Sequence, residues 1–222
     1  MGTDDTTHGA PLGSDETIGA SAEVRDFFGD SYAAAARFHD RLRDEGETRG
    51  LIGPREVERL WERHLLNSAA VVPHLGAAAS VADIGSGAGL PGIVIAFMRP
   101  ETRVYLVEPM ERRVAWLTEI AEDLGLANVE VKHGRAEEYD GAFEVDVVTS
   151  RAVAALSKLA RMSMPLLRRG GEMIILKGRN VDKEIEPARK VLRAFRASEP
   201  EILDGVTVPG VESTTILRVR RG

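Results

Sequence analysis

Residues 81–92 read Val81-Ala82-Asp83-Ile84-Gly85-Ser86-Gly87-Ala88-Gly89-Leu90-Pro91-Gly92. A short apolar run ends at Ile84, four glycines follow within eight residues, and an apolar helical pattern begins near Gly92. Glycine tolerates positive φ and lets a backbone approach a ligand with no Cβ in the way. A strand, a glycine turn and a helix in that order open a βαβ unit, whose strand-to-helix crevice is where nucleotide-like ligands bind in open α/β sheets. The stretch therefore predicts the first strand and the binding loop of a doubly wound fold.

The rest of the chain agrees. Strand patterns recur at 80–84, 103–107, 129–132, 145–149 and 172–177, and helical patterns at 92–98, 111–124, 156–167 and 181–195. Regular alternation of this kind means parallel strands joined by crossover helices. The last part changes character: two extended runs, 200–208 and 214–220, flank a Pro-Gly turn with no helix between them, which predicts an antiparallel hairpin added to the sheet. Before the first strand, apolar residues at helical spacing over 22–44, and a second set (Val57, Leu60, Trp61, Leu65) after Pro54, predict an N-terminal helical cap. Trp61 and Trp116 fall on apolar helix faces and are assigned to core packing. The expected organisation is a disordered acidic tail over 1–20, a cap over 21–75 and a Rossmann-like α/β domain over 76–222.

Composition narrows the class. The 222 residues are 43% hydrophobic and include no cysteine, which excludes disulfides, thiolate metal sites and a cysteine nucleophile. No run approaches the roughly 18 apolar residues of a membrane span, and no basic-then-apolar leader is seen, so a cytoplasmic protein is expected. The net charge of −6 is concentrated at the start, where residues 1–22 hold Asp4, Asp5, Asp15 and Glu16 and neither Lys nor Arg. The remainder is near balance, which leaves room for a local basic patch. No metal site is expected, and nothing demands more than a monomer.

The ligand follows from the loop's spacing. A dinucleotide fingerprint needs G-x-G-x-x-G, but the third position after Gly85 and Gly87 is Leu90, and an acid, Asp83, precedes the loop. A carboxylate there suits an amino-acid ammonium and not a pyrophosphate. Asp83 thus points to the methionine end of S-adenosylmethionine, by direct contact or by ordering the loop. Glu108 ends the second strand, 21 residues after Gly87, where a carboxylate can accept from both ribose hydroxyls; this supports a nucleoside without choosing between the two ligand classes. After the third strand, Gly134-Arg135-Ala136-Glu137-Glu138 is placed to read an adenine edge through the amides of Ala136 or Glu137, unless Glu137 and Glu138 simply favour a helix N-terminus.

Taken with this loop, Arg63-His64-Leu65-Leu66-Asn67-Ser68, Ser150-Arg151-Ala152 and Leu176-Lys177-Gly178 resemble the bacterial ribosomal RNA small-subunit methyltransferase G family, also called glucose-inhibited division protein B. The resemblance runs from about residue 22 to 221; the acidic tail lies outside it, and Glu108 stands where some relatives have Asp. It implies a class I S-adenosylmethionine-dependent methyltransferase that acts on N7 of guanosine 527 in the 530 loop of 16S ribosomal RNA, within the small ribosomal subunit.

The residues are compatible with that reaction. N7 of guanine carries a lone pair and no proton, so no general base is needed and the work is alignment. Rival chemistries lack their parts: there is no cysteine for pyrimidine C5, no Asn/Asp-Pro-Pro-aromatic run after the fourth strand for exocyclic amines, and Lys177 alone does not make a ribose-methylating tetrad. The expected cofactor set is Asp83, Gly85, Gly87, Leu90, Glu108, Ala136, Glu137 and Arg151. The expected substrate set is His64, Asn67, Arg135, Arg151 and Lys177. Arg151 has two roles open to it, the cofactor carboxylate or RNA; Lys177 and Arg151 can each meet phosphate or guanine O6. His64 without the resemblance reads as a helix-terminal histidine bonded to a carbonyl, and Arg112 and Arg113 as solvated helix residues. A methyltransferase of the same fold acting on a small molecule or protein is the alternative, and a binding module without turnover is the third reading.

Overall fold

The computed structural model describes residues 14–222. Strands β1 (Ser80–Ile84), β2 (Arg103–Glu108), β3 (Val129–His133), β4 (Val145–Thr149), β5 (Leu167–Lys177), β6 (Glu201–Gly205) and β7 (Thr214–Arg220) form one sheet in the order β3-β2-β1-β4-β5-β7-β6. The first five are parallel; β7 runs antiparallel between β5 and β6, so the expected C-terminal hairpin is present and its second strand joins the sheet. Chain order reverses between β1 and β4, which makes the carboxyl ends of these two strands the crevice of the fold.

Side chains alternate across β1 as a pleated strand requires. Val81 enters the core shared with the N-terminal helices and α5 (Gly92–Met98) and α6 (Glu111–Asp123). Ala82 and Ile84 enter the opposite core with α7 (Leu156–Ser163) and α8 (Asp182–Ala194). Phe38 and Leu65 of the N-terminal segment lie in the same apolar cluster as Val81 and Ile93, so segments 21–75 and 76–222 pack on one core.

Several boundaries differ from the sequence expectation. Of the segment read as a disordered tail, residues 1–13 lie outside the described residues, but Asp15–Ala20 is a helix, α1. Ser14 caps it, Ile18 is buried, and Asp15 accepts the backbone N–H of Trp61 at 2.8 Å and meets His39 Nε2 at 2.8 Å. Ile18, the acid with its two distant partners, and the buried Gly19, whose carbonyl accepts the Tyr32 hydroxyl at 2.8 Å, order a segment too polar to show periodicity. The helix expected over 22–44 divides at Gly29 (φ 50°) into α2 (Ala22–Phe28) and α3 (Tyr32–Glu45). After Pro54 the chain makes a 3-10 turn over Pro54–Arg59, then a π-wound segment over Trp61–Leu66, continued by α4 (Asn67–Ala69). π-winding inside a helix frequently marks functional positions. The helix expected to reach Leu167 ends at Ser163, because Pro165 cannot supply the next N–H, and β5 begins at Leu167. Trp61 and Trp116 are core residues, 3% and 0% exposed.

Candidate active site

The glycine loop is held from both ends. Asp83 lies on the Val81 face of β1, fully buried, and its Oδ2 accepts the N–H of Gly92 at 2.9 Å, the first residue of α5. Its other oxygen, Oδ1, is buried without a partner among the described residues, and burial raises the carboxyl to about 7. Glu108, at the end of β2 and 2% exposed, accepts the N–H of Gly87 at 2.9 Å through Oε2 and that of Met110 at 3.0 Å through Oε1. Trp116 of α6 donates its indole N–H to the carbonyl of Ala88 at 3.0 Å. Between these anchors Gly85 and Gly87 take φ of 68° and 57°. A Cβ on Gly85 would stand 2.7 Å from Cγ2 of Val153, so the segment after β4 lies directly against the loop.

Three adjoining clefts surround these strand ends. One, about 460 Å³, is walled by Gly85, Gly87, Leu90, Glu108 and Arg113. A smaller one, about 260 Å³, is largely apolar, with Ile84, Val107, Pro109, Ala136, Val153 and Met162, and it meets the first at Gly85, Pro109 and Val153. The amides of Ala136 and Glu137 open a 3-10 turn there, and first-turn N–H groups have no acceptor within their own helix. The third, about 590 Å³, is lined by Arg59, Arg63, Asn67, Ser150, Lys177 and Arg179 among others, and shares Glu56, His64, Arg151, Ala152 and Val153 with the first. The cleft at the glycine loop and a wider cleft of mixed charge, with Glu62, Glu184 and Glu212 among its cations, thus meet at a wall built by His64 and Arg151.

Arg151 is fixed in that wall by the cap. Its Nη1 donates to the carbonyl of Arg63 at 2.9 Å and to Asn67 Oδ1 at 3.4 Å, and its Nη2 to His64 Nδ1 at 2.8 Å. Since a guanidinium only donates, His64 Nδ1 must accept, which leaves the ring proton on Nε2 and the ring neutral. Burial, with Arg151 second, lowers His64 to about 4, in keeping with that state. Nε2 is buried with no hydrogen-bond partner among the described residues. The carbonyl-bonded histidine that the helix end suggested is not what forms; the partner is a side chain 87 residues away.

Of the expected cofactor set, Gly85, Gly87, Leu90, Glu108, Ala136, Glu137 and Arg151 line the two smaller clefts, whereas Asp83 lies beneath the loop and orders it. His64, Asn67, Arg151 and Lys177 gather at the large cleft; Arg135 is exposed and stands at the apolar cleft beside Ala136. Lys177 is not a free rim cation. It is 10% exposed and its Nζ donates to the carbonyl of Ala154 at 2.8 Å and to Glu184 Oε2 at 2.7 Å, tying the 152–154 segment to α8.

Three residues were missed. Arg113 is only partly solvated: its Nε is buried without a partner among the described residues and its Nη1 lies 4.0 Å from Glu108 Oε2. The signal was its place in the first turn of α6, five residues after Glu108, which aims that turn at the loop. Val153 and Glu56 carried no signal, because neither belongs to a periodic pattern and their importance is one of position.

Comparison with known proteins places this arrangement. An O-methyltransferase from Bacillus cereus, solved in complex with SAH, superposes with a TM-score of 0.57 over 84% of this chain and 91% of that chain at 14% identity. A SAM-dependent O-methyltransferase from Thermotoga maritima gives 0.55 over 83% and 71% at 16% identity. These establish the class I S-adenosylmethionine-dependent methyltransferase fold. Sequence relatives named ribosomal RNA small subunit methyltransferase G are 50% identical in Beutenbergia cavernae, over 88% of this chain and 92% of that protein, and 47% identical in Thermobifida fusca, over 92% and 86%. The family model described as rRNA small subunit methyltransferase G matches residues 31–205. With the cleft at its glycine loop and the wider cleft meeting at Arg151, the chain belongs to the rRNA small subunit methyltransferase G family.

Proposed function

We propose that the protein transfers a methyl group from S-adenosylmethionine to N7 of guanosine 527 in the 530 loop of 16S ribosomal RNA. Family membership supports an rRNA methyltransferase, and the observation that carries the reaction type is the state of His64. Its Nδ1 is consumed by Arg151 and its Nε2 is protonated, so the histidine in the wall between the clefts is unable to act as a general base. N7 needs none, having a lone pair and no proton to lose.

The residues fit the cofactor. Gly85 and Gly87 bring a backbone without Cβ atoms to the cleft wall, at φ of 68° and 57°, and Arg113 Nε is a buried donor without a partner among the described residues at the same cleft. Glu108 would hold the ribose, the amides of Ala136 and Glu137 the adenine edge within the apolar slot, and Arg113 or Arg151 the carboxylate. When bound, S-adenosylmethionine supplies an electrophilic methyl on a sulfonium. The chain's part is to hold the base against that group: Val153 and the Lys177-tied segment narrow the passage, and Arg151 keeps the wall rigid. Arg59, Arg63 and Arg179 on the wider cleft would meet the RNA backbone; Glu62 pairs with Arg59 and Glu212 with Arg179 in the same cleft, so the net attraction is small, which suits an assembled small subunit more than naked RNA. The protein acts in this reading as a cytoplasmic monomer.

The test is transfer of tritiated methyl to small subunits from a strain lacking the enzyme, with the product mapped by mass spectrometry. Label at N7 of guanosine 527 is the expected result. Label at another base, or none on subunits, whole ribosomes and naked RNA alike, overturns the proposal.

A further inference from the structure

Guanine and adenine both offer a bare N7, so alignment of a lone pair cannot tell them apart. The neighbouring group can: guanine carries O6, an acceptor, and adenine an amino group, a donor. A site that accepts only guanine therefore needs, next to N7, a group that donates and does not accept. Arg59, Arg63 and Arg179 are exposed on the large cleft, where they suit phosphate; among its less exposed donors, Ser150, Lys177, Arg151 and His64 divide on this criterion. Ser150 Oγ is buried and without a partner, but a hydroxyl both donates and accepts and so suits either base. Lys177 is engaged by Ala154 and Glu184. Arg151 is held by Arg63, Asn67 and His64. His64 is different: 4% exposed, in the wall that both clefts share, with Nδ1 occupied and a donor-only Nε2–H that has no partner among the described residues.

We propose that His64 is the guanine-selecting residue, donating its Nε2–H to O6 of the target base, and that Arg151 is its positioning residue, fixing ring tilt and tautomer. The inference rests on the guanine-N7 reading above and specifies how that base is chosen. Without the Arg151 contact the imidazole can exchange tautomers, and the Nε2 that results would accept, which suits the amino group of adenine. Glu56 governs access. Its Oε1 is 3.8 Å from Nε2, beyond hydrogen-bond length, while its Oε2 accepts the N–H of Gly53 at 2.9 Å. An incoming base takes the place of this half-exposed side chain, which turns aside toward solvent.

The experiment uses reconstituted small subunits carrying guanosine, inosine or 2-aminopurine riboside at the target position. All three keep N7; only the last lacks O6. Wild type should accept guanosine and inosine, with kcat/KM on 2-aminopurine about tenfold to a hundredfold lower, the loss expected when a buried donor is left unpaired. His64→Phe should bring the guanosine to 2-aminopurine ratio near one with S-adenosylmethionine affinity by calorimetry unchanged. His64→Gln, which restores a donor, should recover part of the ratio, and Arg151→Met should lower it although His64 is intact. A wild-type ratio in His64→Phe overturns the proposal, and so does a wild type that does not distinguish guanosine from 2-aminopurine, a result that needs no variant to fold. Wild type inactive on guanosine subunits would instead overturn the guanine-N7 reading itself, and this inference with it.

Discussion

The Asp83 carboxylate and the Gly92 N–H, nine residues apart, close the glycine loop on itself at 2.9 Å with the acid fully buried. The acid before the loop is thus a brace under it, and its two open roles resolve, in this geometry, to ordering. Burial raises Asp83 to about 7 against an ordinary value of 3.8. Between those values the folded chain holds a proton that the unfolded chain has released. The stability associated with the neutral acid is therefore full below about pH 4, falls as pH rises to about 7, and is level above. Asp83→Asn lacks this dependence while keeping an acceptor for Gly92. The urea midpoint of Asp83→Asn minus that of wild type should rise from pH 4 to pH 7; a constant difference would remove Asp83 as the origin. Asp83→Ala should cost about 1–3 kcal/mol at pH 4, since the Gly92 N–H loses its acceptor in the interior, and less as pH rises to 7 and wild type loses the contribution of the neutral acid.

Glu108 joins the end of β2 to the loop by using both oxygens. In Glu108→Gln one oxygen becomes an amino group, which confronts a backbone N–H with another donor. Calorimetric affinity for S-adenosylmethionine should fall about tenfold or more, with cooperative unfolding retained. Unchanged affinity would take Glu108 out of the cofactor site.

At Gly85 two penalties coincide, a φ of 68° and a Cβ 2.7 Å from Val153. Gly85→Ala should lose about 1–2 kcal/mol to the backbone conformation and displace the 152–154 segment. Pairing it with Val153→Ala should recover part of the binding loss by relieving the clash, and a strictly additive double variant would show that the two residues do not meet.

Lys177 and Glu184 hold the same segment from the other side. Lys177→Met keeps the stem and removes the ammonium, leaving the Ala154 carbonyl without its donor and the buried end of Glu184 with only the Leu156 N–H at 2.6 Å. Methyl transfer should drop at least tenfold, with a stability loss of about 1–3 kcal/mol in urea melts. Had Lys177 been a free RNA cation, stability would stay at wild type and only the salt dependence of RNA binding would change.

Asp15 stitches α1 to the body through Trp61 and His39. Asp15→Ala should destabilise the fold by about 1–3 kcal/mol and expose residues 15–20 to rapid proteolysis. A stability equal to wild type would mean that α1 docks through Ile18 and the Tyr32–Gly19 hydrogen bond.

Much of the fold was legible because local rules agree with the tertiary answer. Bounds for β1, β4, β7 and α5 read from periodicity coincide with those observed, since alternation and helical spacing are imposed by the layers that each segment contacts. Where local rules failed, a few long-range contacts outweighed them: α1 is ordered by Asp15 and Ile18, and the Gly29 break follows from one positive φ inside an otherwise helical pattern.

The chain's order of residues determined the alternating fold, the glycine loop with its flanking acids, and the set of motifs that marks the family, because each is a pattern along the chain. What each cation does was decided only in three dimensions. Lys177 is spent on Glu184, Arg113 turns inward to Glu108, and Arg151 reaches back 84 to 88 residues to Asn67, His64 and Arg63. A sequence lists donors and acceptors, but whether a donor is occupied depends on distance, and distances between remote segments exist only once the sheet and its cap have closed on a common core.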